Sequence, residues 1–323
     1  MGKVKGAVVR TSGEPLSIEE LTTSPITAAE VRVATRAVGL CHSDLHVLDG
    51  HLTRPLPHLL GHEASGVVVE VGADVDSVAV GDHVVACLVV YCGTCRQCTG
   101  GRPTLCSNKQ VCNRQPDEPP RFADADGKAV EQFSFVGSLA EEMIVHHSAL
   151  TPIPKEMPFD AAALLGCAVV TGVGAIEKVA KVQPGDSVVV VGCGGVGLNL
   201  VHAAHKAGAS IVVGIDLDEN RRELAETHFG ATHVFDGADP ELIEKVIEVT
   251  NGGADHAFDV VGSAALTANC MKMNVPGGAT YTVGIFKSGE ELRIDALEFH
   301  RCKRLIGVRM GDIHPQADVT VAT

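Results

Sequence analysis

The run SVVVVGCGGVG, residues 187–197, constrains the fold more than any other part of the chain. Four consecutive valines, Val188 to Val191, predict a strand buried on both faces, because no alternation leaves one face polar. They lead into G-x-G-x-x-G, Gly192 to Gly197, and then into a helical pattern, GVGLNLVHAAHKAGA. A glycine pattern alone is weak, but here it sits between a strand and a helix. A second apolar strand, SIVVGID, ends at Asp216, 24 residues after Gly192. A dinucleotide site needs this layout. Gly192 allows the tight turn, Gly194 lets the backbone approach a pyrophosphate, and Gly197 lets helix pack on strand. Gly195 and Val196 open the helix N-terminus that faces the phosphates. Asp216 is placed to accept hydrogen bonds from the adenosine ribose and to repel a 2′-phosphate, which favours NAD over NADP. Arg221 and Arg222 follow closely, and arginine is the residue type that can hold a 2′-phosphate.

The alternation continues around this unit. MPFDAAALLGCAVVTGVGAIEKV, DENRRELAETHFGA and DPELIEKVIEVTNGG read as helices, the last starting at Asp239 or Pro240 and ending near Gly252. THVFD, DHAFDVVG and GATYTVG read as strands. Apolar strands alternating with helices imply a doubly wound parallel sheet. The first 150 residues have a different grammar. EVRVATRAVGL, SGVVVEVG and DHVVACLVV are short β-branched runs broken by Gly, Asp and Pro. A long irregular stretch spans 91–135, with ADADGK as a turn at its tip. A chain of 323 residues fits two domains. The division expected is a β-rich domain over 1–160 with a cysteine lobe at 91–107, an α/β domain over 161–310, and a short return at 311–323.

The formal net charge of −14 argues against nucleic-acid or anionic-membrane partners, which favour a basic face. No apolar stretch is long enough for a membrane span or a signal-peptide core, so a cytoplasmic protein is expected. In that compartment the eleven cysteines are thiols or metal ligands rather than disulfides.

Four of them lie in YCGTCRQCTGGRPTLC: Cys92, Cys95, Cys98 and Cys106, a C-x2-C-x2-C-x7-C array. Four thiolates at this spacing can close a tetrahedron around one zinc and leave no place for a substrate, so the metal is structural. An iron–sulfur cluster fits less well, because the last interval is too long and no proline follows Cys106. Three other segments carry ligand-type residues: GLCHSDLH, GHEASG and LLGCAVVTGVGA. Spacing alone does not join them. Cys41 and Cys167 taken singly read as buried thiols, and His62 beside Glu63 is suggestive only.

With GHE, the four-cysteine lobe and GCGGVG in this order, the chain resembles the zinc-dependent medium-chain alcohol dehydrogenases from its N-terminus to about residue 310. LLGC before the nucleotide domain is similar to the branch holding the glutathione-dependent formaldehyde dehydrogenases and related bacterial alcohol dehydrogenases. The resemblance implies a GroES-like β-rich catalytic domain and a Rossmann nucleotide-binding domain. It implies a catalytic zinc on Cys41, His62 and Cys167 with the fourth position left for a substrate oxygen, giving two Zn2+ and one NAD per chain. It implies that Asp44 orients His62, that Glu63 sits behind the metal, and that Ser43 and His46 form a proton relay. By the same likeness His42 meets the cofactor pyrophosphate, Thr171 meets its nicotinamide end, and Leu88 and Phe133 are pocket walls. The activity implied is hydride transfer between a primary alcohol, or its aldehyde, and NAD.

LDGHLTRPLPHLLGHE lacks the acidic pattern expected of a glutathione-adduct site, which ranks S-(hydroxymethyl)glutathione second. A non-catalytic NAD-binding paralogue is a further reading, since the chain stops soon after LIGVRMGD, earlier than the family. That stop implies a fragment or a domain completed by a partner. The resemblance further implies that GATYTVGIF and RLIGV extend the nucleotide-domain sheet across a two-fold axis, so a homodimer or homotetramer is expected.

Overall fold

The computed structural model describes residues 2–322. It divides into two compact units, one of Met1–Val170 with Ile313–Thr323 and one of Thr171–Asp312.

The first unit is built from two five-stranded sheets. In chain order the strands are β1 (Gly2–Val9), β2 (Ser17–Thr23), β3 (Glu30–Val38), β4 (His58–Leu59) and β5 (Glu63–Val71), then β6 (His83–Cys87), β7 (Phe122–Ala123), β8 (Glu131–Gln132), β9 (Glu142–His146) and β10 (Leu150–Pro152). One sheet runs β7-β2-β1-β4-β8 and the other β10-β6-β5-β3-β9. The β-branched runs bury Val31, Val33, Ala64, Val68, Val84 and Val145 in one core, and Val4, Val8, Leu21, Leu59, Phe122 and Ile144 in another. Each such side chain contributes about 1.5–3 kcal/mol of burial free energy. Helix α1 (His42–Leu48) follows β3 and helix α3 (Phe159–Leu164) packs on β3 and β5. Between them, the cysteine lobe holds only a single turn, α2 (Arg96–Thr99), and two 3-10 turns.

Residues 112–121 are fixed by charge rather than by apolar packing. Glu30, 2% exposed, accepts hydrogen bonds from Arg114 at 2.6 and 3.1 Å and from Arg121 at 2.6 Å. Arg121 also donates to the Cys112 carbonyl and to Gln132. The tip of this stretch is a tight turn, where the Asp124 carboxylate accepts the N–H groups of Asp126 and Lys128.

Helix α4 (Ala168–Gly174) carries the chain into the second unit and widens into a π-helical turn, Ala175–Ala180. The sheet there is wholly parallel, ordered β13 (His233–Asp236), β12 (Ile211–Asp216), β11 (Ser187–Val191), β14 (Ala254–Asp259), β15 (Asn274–Thr282), β16 (Arg304–Gly307). The four valines of β11 explain its central place. Val188 and Val190 enter a core with Leu200 and Val201 of α5 (Gly195–Lys206), while Val189 and Val191 enter the opposite core with Leu242 and Val246 of α7 (Leu242–Val249). Helix α6 (Glu219–Thr227) is capped by the Asp218 carboxylate on the Asn220 N–H.

Three elements differ from their sequence reading. MPFDAAALLGCAVVTGVGAIEKV, read as one helix, is broken at residues 165–167 into α3 and α4. Helix α7 begins at Leu242, because the Asp239 side chain takes the Glu241 N–H and holds residues 239–241 in a turn. Strand β15 begins at Asn274, ahead of GATYTVG, with a register irregularity opposite Ala254 and His256. Helix α8 (Ala264–Met273) has little amphipathic signal, and its start is set by a residue outside it. Asp259, fully buried at the end of β14, accepts the N–H groups of Val261, Gly262 and Ser263 and the Thr267 hydroxyl. Helix α9 (Ala296–His300) precedes β16.

Helix α10 (Pro315–Ala322) returns to the first unit. Ile313 and Val319 are buried there, Tyr91 donates to the Gln316 side chain, and Gln316 reaches the Ser148 carbonyl at 3.4 Å.

Burial alone raises the Glu30 pKa, but Arg114, Arg121 and the Thr27 N–H bring it down to about 2. A carboxyl lowered on folding stabilises the protein above its unfolded pKa of about 4.3 and loses that contribution as pH falls toward 2. Glu30→Gln leaves two buried guanidinium groups without their carboxylate, so it is expected to cost about 3–5 kcal/mol at pH 7. Urea unfolding at pH 7 and pH 3 checks this: the gap between variant and wild type should shrink at the lower pH.

Candidate metal centres and nucleotide site

The cysteine lobe brings four sulfurs together. Cys92 and Cys106 lie 3.6 Å apart, Cys95 and Cys98 3.5 Å, Cys95 and Cys106 3.9 Å, and Cys92 and Cys98 4.0 Å. A zinc–sulfur bond of about 2.3 Å gives a tetrahedron with edges of about 3.8 Å, so these distances bracket the required set. The N–H groups of Cys92 and Cys95 point at the sulfurs of Cys106 and Cys92, as expected for thiolate acceptors. Backbone N–H groups of Cys98 and Ser107 draw Cys95 down to about 5, while burial and the neighbouring sulfurs push Cys98 up to about 12. Four thiols this close ionise together only around a cation.

A second group forms where the three scattered segments meet. One donor atom each from Cys41, His62 and Cys167 lies within 4.8 Å of the others. Cys41 is the N-cap of α1, His62 directly precedes β5, and Cys167 sits in the break between α3 and α4. Asp44, 4% exposed, ties two of these segments together. Its carboxylate accepts the Gly61 N–H at 2.8 Å and the Cys41 N–H at 3.3 Å, and lies 3.3 Å from His62 Nδ1. With Nδ1 turned to Asp44, Nε2 is the atom free to ligate. The Cys167 thiol and then His62 hydrogen-bond Cys41 and pull it down to about 3, while Cys167 is pushed well above the usual thiol range by Cys41 and by burial. Burial opposes a charged His62, yet Asp44 and Cys41 outweigh it and raise the imidazole to about 10. Two sulfurs and one imidazole suit zinc, and three protein donors leave one position open.

The other expected residues distribute around this group. Glu63, 2% exposed, accepts the Ala168 N–H at 3.1 Å, and burial pushes its carboxyl up to about 7. The Ser43 hydroxyl lies 3.5 Å from the Cys41 sulfur. His46, one turn further along α1, is edge-on to His42 with ring centroids 4.8 Å apart. Burial, then His42 and His51, lower its pKa, which favours the neutral ring. His42 itself is exposed. Leu88 is half-buried, one residue beyond Cys87, which pairs with Glu63 across β5 and β6. Phe133 is 3% exposed and meets the His62 ring edge-on at 5.3 Å. Sequence reasoning overlooked Cys87, a fully buried thiol pushed up to about 12 by burial, because nothing in DHVVAC sets it apart from an apolar core residue.

In the second unit the glycine turn has the strain pattern a phosphate loop requires. Gly192 has φ +99°, and a Cβ on Gly197 would lie 1.8 Å from the Gly192 carbonyl oxygen. Gly194 faces open space, and no side chain caps the N-terminus of α5, so the first N–H groups of that helix remain for a ligand. Gly195 is exposed and Val196 half-buried at that end. Asp216 ends β12 and its carboxylate accepts the Cys193 N–H at 2.8 Å and the Asp218 N–H at 3.0 Å. Arg222 is held by the carbonyls of Asp216 and Leu217, whereas Arg221 is 54% exposed and 3.7 Å from Asp216. Thr171, 6% exposed, turns its hydroxyl to the Met310 sulfur at 3.4 Å.

Gly197→Ala is expected to lower stability by about 2–3 kcal/mol, because the added carbon must displace backbone. Thermal unfolding measures this, and the smaller loss expected of Gly194→Ala, whose Cβ meets nothing, serves as the control.

Residues 27–155 match the family model described as alcohol dehydrogenase GroES-like domain, and residues 195–321 match that described as zinc-binding dehydrogenase. The chain is 36% identical over 300 residues to S-(hydroxymethyl)glutathione dehydrogenase of Saccharomyces cerevisiae, covering 90% of this chain and 78% of that protein. A solved structure of an alcohol dehydrogenase zinc-binding domain protein from Burkholderia ambifaria superposes with a TM-score of 0.92 at 33% identity, over 98% of this chain and 87% of that one. Benzyl alcohol dehydrogenase from Acinetobacter calcoaceticus gives 0.89 at 32%, over 98% and 86%. The four-sulfur lobe, the Cys–His–Cys group and the glycine turn thus occur in a chain that belongs to the zinc-dependent medium-chain alcohol dehydrogenase family.

Proposed function

We propose that the protein is an oxidoreductase that transfers a hydride between a primary alcohol, or its aldehyde, and NAD. The observation that carries this reading is the set of half-buried Cys41 with buried His62 and Cys167, with donor atoms within 4.8 Å and only three protein ligands. Zinc held there would supply Lewis acidity toward a substrate oxygen, and bound NAD would supply the hydride acceptor. Asp44 fixes the tautomer of His62. Ser43, beside Cys41, accepts the proton of the substrate hydroxyl and passes it toward His46. The lowered pKa of His46 keeps its ring neutral and able to receive that proton. Glu63 stands behind the ligands as an acidic group of raised pKa that assists ligand exchange. Cys92, Cys95, Cys98 and Cys106 hold a second zinc that staples the lobe and takes no part in turnover.

In the second unit, Gly192, Gly194, Gly195, Val196 and Gly197 cradle the pyrophosphate, and Asp216 binds the ribose hydroxyls. His42 and Thr171 are assigned to the pyrophosphate and nicotinamide ends. The Arg221 guanidinium is paired with Asp216 and Asp218, which leaves NAD preferred over NADP. Leu88 is assigned to the wall of an apolar substrate site. S-(hydroxymethyl)glutathione is a second substrate reading, favoured by the yeast relative of that name. The edge strand β16 presents unpaired backbone groups suited to two-fold sheet extension, so we assign a homodimer or homotetramer. The eleven cysteines are all unpaired thiols, which fits a reducing cytoplasm. No helix among the described residues is long and apolar enough to cross a membrane.

Initial rates over a panel of alcohols, with and without glutathione plus formaldehyde, test the substrate. A rate that needs both additives selects the glutathione adduct. Cys41→Ser is expected to abolish turnover while NAD affinity by fluorescence titration stays largely unchanged; loss of both would tie the two sites together and contradict the assignment. Asp216→Gly is expected to weaken NAD roughly ten-fold or more, by loss of charge-assisted hydrogen bonds, and to narrow the NAD-to-NADP ratio. An unaltered ratio would remove the role given to Asp216.

A further inference from the structure

Alcohol oxidation releases one proton for each hydride it transfers, and that proton has to reach solvent. The relay assigned above ends at His46, a half-buried ring near the C-terminal end of α1. Burial, then His42 and His51, disfavour the charged form of that ring, opposed by Asp49 and Cys41. Such a ring stays ready to accept a proton but holds it weakly, so a further acceptor beside it speeds the proton's departure.

His51 is in place to be that acceptor. It lies beyond the end of α1, yet its ring centroid is 5.7 Å from that of His46, at an interplanar angle of 48°. The backbone explains this return. Asp49 is the C-cap of α1, and Gly50 then takes φ +75°, a left-handed turn that glycine makes at little cost. The chain folds back, and the Leu52 N–H donates to the His46 carbonyl at 2.8 Å. Leu52 also packs on the core of Val9, Val47 and Leu60, which anchors the segment, while His51 itself stays exposed.

The three imidazoles thus form a row, with His42 and His51 on either hand of His46. His42 is assigned to the cofactor pyrophosphate, so an anion would engage it. His51 carries no such assignment. A centroid separation of 5.7 Å spans one bridging water between ring nitrogens, the reach over which a relay passes a proton. Imidazole is also the side chain whose ordinary titration range covers neutral pH, so it can take a proton from one group and give it to buffer.

We propose that His51 is the exit of the proton relay: it takes the proton from His46 and delivers it to solvent. The proposal rests on the reading of Ser43 and His46 as a relay, which the family resemblance carries only as far as His46. In oxidation the substrate hydroxyl gives its proton to Ser43, whose own passes to one nitrogen of His46, while the substrate C–H bond supplies the hydride to NAD. His46 then loses the proton of its other nitrogen to His51, which releases it to water. One proton leaves per hydride, and aldehyde reduction runs the same path inward.

His51→Gln removes the titratable ring at an exposed position, where folding is little affected. The zinc- and NAD-loaded chain is mixed in weak buffer with the fastest alcohol of the panel, and a pH indicator reads proton release beside NADH absorbance. Wild type should release its proton together with NADH formation. His51→Gln should release it roughly ten-fold or more slowly, and added imidazole should restore the rate as its concentration rises. His51→Ala should be rescued in the same way. Release as fast as wild type and insensitive to imidazole would overturn the proposal and leave the relay through His46 standing. A readout without turnover is the His46 ring titration followed by NMR. Loss of the neighbouring ring in His51→Gln should raise the His46 pKa, and an unmoved titration would show the two rings uncoupled and contradict the proposal. A wild-type chain that forms no NADH with any alcohol would instead overturn the function proposed above, and this role with it.

Discussion

Two thiols and an imidazole are costly to bury within 4.8 Å of one another unless their charges are matched. Much of the first unit is arranged to meet that demand. Asp44 sits behind His62, Glu63 is buried as an acid of raised pKa, and Cys41 is the N-cap of α1. Paired this way, the group is stable to burial yet unsatisfied as a coordination sphere, since its three donors leave room for one more ligand. The four-sulfur lobe shows the opposite design. Its donors are complete and come from one loop, so what they hold can only be structure.

That loop would otherwise be hard to keep ordered. Between β6 and β7 it has few apolar residues to bury, and its turns are short. One end is closed by the cysteines, and the other is pinned by Glu30 against Arg114 and Arg121. From Arg121 the contacts continue through Gln132 to the turn that carries Phe133 and so to His62.

How much of this is legible in the sequence depends on the range over which each pattern acts. SVVVVGCGGVG is readable because strand, turn and helix are adjacent and each glycine answers a local steric demand. The four sulfurs are readable because one loop supplies them all. Cys167 is not readable from spacing, since its partners arrive from the N-cap of α1 and the residue before β5 by tertiary folding, and only the order of motifs along the chain connected them. Helix α8 escaped because the turn that leads into it is held by Asp259 on the preceding strand and its own residues show no clear face.

Counting the zinc released as a chelator is titrated, alongside activity and circular dichroism, tests the division into an open and a closed metal group most directly. The account predicts two equivalents per chain. Loss of the first, from Cys41, His62 and Cys167, should abolish turnover with the dichroism intact, and loss of the second should unfold the lobe. A chain that carries a single equivalent, or that keeps its activity after the first is gone, would contradict it.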